Sequence, residues 1–208
     1  YISSKFITNV RQGTAEYQSP LILVTDEQIE TIEQIWPALE LAAKDSRPLV
    51  IIANEVEGQA LAALIMNSER RNMKIAAVKS PRYGEERRSI QRDLCASIGA
   101  TFITREDGLQ LKNLQLKHFG QAKSTTISKQ WTTIVGGKGD EELIETRIEA
   151  VKAEIGQTDD MPTCQRLQER ITRLASGVAI IRVGAATEIE MTEKKHRIDD
   201  ALEAVRSA

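Results

Sequence analysis

Apolar and polar positions fall into blocks along this chain, and the character of the blocks changes past its midpoint. Residues 21–24 (Leu-Ile-Leu-Val), 48–53 (Pro-Leu-Val-Ile-Ile-Ala) and 74–78 (Lys-Ile-Ala-Ala-Val) are short, nearly continuous apolar runs. Runs of that length read as strands buried on both faces. Residues 101–104 (Thr-Phe-Ile-Thr) read as a fourth strand. Between the runs lie helical spacings. Ile29 and Ile32 mark one over 27–34, Pro37 opens another reaching about Lys44, and a third covers 85–97. Trp36-Pro37 predicts a break between the first two. The residue before proline avoids the α region, and proline suits the first helical position. Strands alternating with helices predict βαβ units and a parallel sheet covered by helices, so the fold class is α/β. Residues 1–19 show no period, with Gly13 and Ser19-Pro20 as turn signals.

Later the pattern shifts. Residues 124–128 and 131–135 alternate and lie close together, as the arms of a β-hairpin do. Asp140 is placed to cap a long charged helix to about Ile155, with a partner helix over 163–175. Residues 178–183 read as another strand, and Thr187, Ile189 and Met191 alternate with Glu188 and Glu190 as a half-exposed strand would. Ile198, Ala201, Leu202 and Val205 then form one stripe on a last helix. A boundary falls near Ser176-Gly177. The first residue is Tyr1 and the last helical pattern has no stop signal, so the chain reads as a piece of a longer one.

The stretch 57–66 organises the rest. Ala60 to Met66 is an uninterrupted apolar run in a helix-favouring sequence, with Leu61 and Ile65 on one face and Ala60, Ala63 and Leu64 on the other. A helix apolar all round is either fully buried or has a second apolar client.

Composition narrows the function. The chain has 208 residues, a net charge of −2, 28% charged residues and only 4% aromatic ones. That balance argues against nucleic acid or an anionic membrane as partner and against a stacking platform for bases. Cys95 and Cys164 form no disulfide framework, which suits a reducing compartment. No apolar segment approaches the length of a membrane-spanning helix, and no signal peptide is visible.

Candidate chemistry is sparse. Gly136-Gly-Lys-Gly139 lacks the ending and spacing of a phosphate-binding loop and reads as a glycine turn feeding the Asp140 cap. Arg70, Arg71, Lys74, Lys79, Arg82, Arg87, Arg88 and Arg92 are interleaved with Glu69, Glu85, Glu86 and Asp93, as on a solvated face. His118 and His196 have no metal-ligand spacing, so no metal site is expected. Asp199-Asp200 reads as the polar face of the last helix.

Residues 177–202, Gly-Val-Ala-Ile-Ile-Arg-Val-Gly-Ala-Ala-Thr-Glu-Ile-Glu-Met-Thr-Glu-Lys-Lys-His-Arg-Ile-Asp-Asp-Ala-Leu, closely resemble a signature of the group I (GroEL-type) chaperonins. The resemblance extends back through Leu167-Gln-Glu-Arg, Ala76-Ala-Val-Lys, Val56-Glu-Gly-Gln-Ala-Leu and Pro48-Leu-Val-Ile-Ile-Ala, and covers essentially the whole chain.

It implies a three-layer β/β/α swivelling apical domain over residues 1–176. Residues 177–208 would be the returning strand–helix segment of an α+β intermediate domain, with Ser176 and Gly177 as the hinge. The equatorial ATPase domain would lie in the parent chain, which would use ATP and Mg; the piece in hand would carry no cofactor and no ATPase activity. The implied contacts for unfolded polypeptides and for a co-chaperonin's mobile loop are Tyr1, Phe6, Trp36, Leu39, Leu61, Ile65 and Met66. Asp200 would be the catalytic aspartate of the parent ATPase, acting on the water that attacks the γ-phosphate. The parent would be a heptameric double ring in bacterial cytoplasm, or alternatively in a mitochondrial matrix or plastid stroma.

Departures from the family pattern are Lys5 where an aromatic residue is usual, Ser176 for a hinge glycine, Trp36 for a leucine, and the loop Pro81-Arg-Tyr-Gly84. They favour a divergent copy, and leave open a structural or moonlighting paralogue without general folding activity. A third reading, an α/β enzyme with a phosphate substrate, rests on residues 136–139 and the basic cluster.

Overall fold

The computed structural model describes residues 1–70, 73–175 and 184–207. The chain divides into two compact units, Tyr1–Gly177 and Val178–Ala208. In chain order the first contains β1 (Ala15–Gln18), β2 (Leu21–Val24), β3 (Gln28–Ile29), α1 (Ile32–Asp45), β4 (Leu49–Ala53), β5 (Glu55–Val56), α2 (Gly58–Glu69), β6 (Ile75–Lys79), α3 (Gly84–Ile98), β7 (Gly120–Gln121), β8 (Ser124–Ile127), β9 (Thr132–Val135), α4 (Glu141–Gly156) and α5 (Met161–Ala175). The second contains α6 (Glu188–Ser207).

The architecture is mixed α/β. The three apolar runs become β2, β4 and β6, which pair in parallel in a sheet ordered β6-β4-β2-β7. Every residue of β2 and β4 is buried, as strands covered on both faces require. α1 and α2 are the connections from β2 to β4 and from β4 to β6, so their apolar faces are held against this sheet by the topology. A second, antiparallel sheet is ordered β1-β8-β9. The two sheets are joined by the buried Tyr17, whose hydroxyl donates to the Ile75 carbonyl at 2.8 Å. Burial raises that phenol to about 12.

The sequence pattern departs from this fold in five places. β1 lies in the stretch without an evident period, although its Ala-Glu-Tyr-Gln burial does alternate. The helix expected over 27–34 begins only at Ile32: Ile29 is spent in β3, paired in parallel with β5. The Gln34 side-chain oxygen accepts from the N–H groups of Glu30 (2.9 Å) and Thr31 (3.0 Å), which fixes the helix start. α1 then runs unbroken through Pro37, the site of the expected break. Proline there removes the donor to the Glu33 carbonyl, and Glu33 is exposed, so water can serve in its place.

Residues 101–104 make only an isolated bridge, Thr25 to Ile103, and the fourth place in the main sheet goes to β7, antiparallel to β2. Gly120 permits that approach, since a Cβ there would stand 2.4 Å from Ile98 Cγ1. Lastly, Thr187 to Met191 is not a strand but the start of α6. The Thr187 hydroxyl accepts from the Glu190 N–H at 3.3 Å, Glu188 and Glu190 suit the positive end of the helix, and Lys194–Glu190 and Arg197–Glu193 pair one turn apart. The expected strand 178–183 and the hinge residues Ser176 and Gly177 lie outside the described residues.

Candidate functional site

α1 and α2 lie side by side, and their sequences divide each into a core face and an outer face. On α2, Ala60 and Leu64 are fully buried against the sheet, whereas Leu61, Ala63 and Ile65 are half-buried and Met66 is 50% exposed. On α1, Ile35, Ala38, Leu39 and Ala42 form the buried stripe, and Trp36 projects on the other side, 61% exposed. Ile32, one turn before Trp36, is exposed too. Ile32, Trp36, Leu61, Ile65 and Met66 together form an at least partly exposed apolar strip on these two contacting helices. Surfaces of this kind mark interaction sites in soluble proteins.

The N-terminal segment packs beside it. The Tyr1 ammonium donates to the Ser128 carbonyl at 2.9 Å, and the Ile2 N–H donates to the Ala77 carbonyl at 2.9 Å. Partial burial lowers the pKa of that ammonium. Ser3 caps a short 3-10 turn, Ser4–Phe6, that packs on α2 and β6. Lys5 on this turn pairs with Glu69 at the end of α2, at 2.7 Å, and the contact raises the lysine pKa.

Of the seven apolar residues that the resemblance gives as client contacts, Trp36, Leu61, Ile65 and Met66 lie on this strip, and Tyr1 is half-buried in the N-terminal segment with its ammonium on Ser128. Phe6 and Leu39 are corrections. Phe6 is fully buried beneath the 3-10 turn, and Leu39 is 7% exposed because it belongs to the core stripe of α1. The spacing 35, 38, 39, 42 carries that signal in the sequence. A helix expected to end at Gln34 does not carry Ile32 onto one face with Trp36, which the continuous α1 does. Asp200 is an exposed residue of α6, in the other unit.

The other motifs take structural roles. Lys138 N–H donates to the Gln121 carbonyl and Gly139 N–H to the Ser97 carbonyl, so the glycine-rich turn has these donors engaged. A Cβ on Gly139 would stand 2.0 Å from the Ala96 carbonyl oxygen, and one on Gly137 would stand 2.3 Å from that of Ser97. Glycine is needed there for close backbone contact with the end of α3.

Three members of the basic cluster are paired with carboxylates: Arg88 meets Glu106, Glu85 and Asp26, Lys79 meets Glu55, and Arg82 meets Glu86; Arg92 lies over the Phe102 ring. His118 accepts from the Gln115 N–H, and burial and Lys117 lower its pKa. Among the described residues no group of three or more His, Cys, Asp or Glu side chains could hold a metal ion, and no helix is long and apolar enough to cross a membrane.

A feature unseen in the sequence ties the helical layer together. Asp93 of α3, almost fully buried, accepts from Arg147 of α4 (2.7 Å) and twice from Arg170 of α5 (2.7 and 3.1 Å). An open depression of about 600 Å³ beside β3 is lined by Asp26, Glu27, Arg88, Arg105 and Glu106, whose charges already pair with one another. No protein-family model matches the chain.

Proposed function

We propose that this chain is the client-binding part of a group I (GroEL-type) chaperonin. It captures non-native polypeptides on the apolar strip of α1 and α2. On this reading the unit up to about residue 176 is the three-layer β/β/α apical domain, and residues 177–208 are the returning segment of the intermediate domain. The co-chaperonin's mobile loop would compete for the same strip. Asp200 would serve the ATPase of a parent chain that assembles as a double ring in the cytoplasm, and ATP and Mg belong to that parent.

The observation that carries the reading is the exposure pattern of α2: Leu64 fully buried, Leu61 and Ile65 half-buried, and Met66 half-exposed beside an exposed Trp36. A helix whose second face is also apolar, held on a rigid sheet, offers non-directional contact to many sequences. Flexible Met and aliphatic side chains can re-pack against each of them. A groove between two helices accepts extended or helical segments alike. Each contact is weak, and a ring of copies multiplies it.

The test is binding of the 208-residue chain to a chemically denatured protein, with and without Leu61→Glu and Ile65→Glu together. We expect the double variant to keep its far-UV spectrum and to lose binding at least about tenfold, the effect of about 1.4 kcal/mol. Unchanged binding by the folded variant sinks the assignment.

A further inference from the structure

We propose that Trp36 makes this groove select apolar segments that carry a basic side chain, arginine or lysine, next to their buried residue. The inference rests on the groove reading above and adds a substrate class to it. Trp36 is the largest exposed side chain on the strip, 61% exposed, with Ile32 one turn before it and Glu40 one turn after it. Glu33 lies three residues away on the same helix, exposed and without an ion-pair partner among the described residues. Residues three and four apart on a helix are surface neighbours, so the indole sits between two carboxylates.

The nearby cations of the chain itself are engaged: Lys44 holds Glu40 at 2.7 Å and Lys5 holds Glu69 at 2.7 Å. Among the described residues the cation seated over a ring is Arg92, over Phe102, so the Trp36 face is open. An indole face attracts a cation more strongly than any other aromatic side chain, and Glu33 adds an opposite charge at its edge. A guanidinium or ammonium with an aliphatic neighbour satisfies three groups at once: the aliphatic part meets Ile32, and the charge meets Trp36 and Glu33.

The experiment uses the full chain with Trp131→Phe, so that Trp36 is its one indole. It is titrated with two synthetic amphipathic peptides identical except for one position beside the apolar anchor, arginine in one and citrulline in the other. Anisotropy of a fluorophore attached to each peptide reads the binding, so that Trp36→Leu is measured in the same way. We expect the arginine peptide to bind about two- to fivefold tighter, the range of an exposed cation–π contact. Glu33→Gln should narrow that preference, and Trp36→Leu should abolish it while weakening both peptides. Equal affinity for the two peptides, or a preference that survives Trp36→Leu, overturns the proposal and leaves the groove reading standing. Failure of both peptides to bind overturns the groove reading and the proposal together.

Discussion

Leu61 and Leu64 sit one turn apart on α2, chemically identical and structurally opposed. Leu64 is fully buried between the helix and the sheet, and Leu61 is half-buried on the outer strip. Leu64→Ala removes a fully packed side chain from a site whose neighbours, Ala60 and the β6 strand, are fixed by helix and ladder. Its cost is about 2–5 kcal/mol, the transfer term plus the cavity. Leu61→Ala gives up only part of a transfer worth about 1.5–3 kcal/mol for full burial, and alanine's slightly better helix propensity offsets some of it. We expect about 1 kcal/mol or less at that position.

Binding should invert the order. Once folded, the Leu64→Ala chain should capture denatured protein nearly as the parent does, and the Leu61→Ala chain should be measurably weaker. Urea unfolding followed by far-UV circular dichroism gives the stabilities, and a binding titration at a fixed, low urea concentration gives the rest. Equal destabilisation by the two substitutions, or a binding defect confined to Leu64→Ala, would show that α2 is rotated from the orientation described and would refute the argument.

The remaining predictions concern the scaffold. Asp93→Ala leaves Arg170 buried, without its main partner and beside Arg147, and should cost about 3–5 kcal/mol in urea unfolding. The paired replacement Asp93→Leu with Arg170→Leu should recover a large part of that loss. Gly139→Ala forces a methyl against the Ala96 carbonyl and should destabilise by about 1–3 kcal/mol, with no loss of any phosphate binding, because the turn is structural.

Burial raises the Cys95 thiol to about 12 and the Tyr17 phenol to about 12. Both groups stay neutral longer in the folded chain, so their contribution is complete below the unfolded values near 9 and 10. It fades as pH rises towards about 12. Alkaline unfolding should therefore set in above about pH 9, and at pH 8 a thiol reagent should label the half-buried Cys164 and spare Cys95.

Much of the central sheet is legible in the sequence because β2, β4 and β6 are buried on both faces and read as continuous apolar runs. β1 is four residues long, and its alternation is hidden among turn signals. The α6 start shows how short patterns mislead: three apolar residues at every second position fit a strand, and the capping threonine and the ion pairs one turn apart decide for helix. Pro37 is a weaker break than its sequence context suggests, since an exposed carbonyl tolerates a missing donor. The candidate site was legible on α2, where one helix wheel separates Leu64 from Leu61. It is less legible for Phe6 and Leu39, which the resemblance alone singles out, whereas their burial depends on how the 3-10 turn and α1 pack. The Asp93 network joins three helices across sequence separations that no local period reports.

One property of the groove follows from where its helices stand in the chain. α1 and α2 are the crossover segments without which parallel strands β2, β4 and β6 could not be joined. Both helices pack a buried stripe against the rest of the fold, so the amides of their core-facing turns should exchange more slowly than those at their exposed ends. On the proposed reading a client would meet a surface backed by the core, and accommodation of different sequences would fall to rotamer changes of Trp36, Leu61, Ile65 and Met66. A client bound there would lose its own disorder while the two helices lose little.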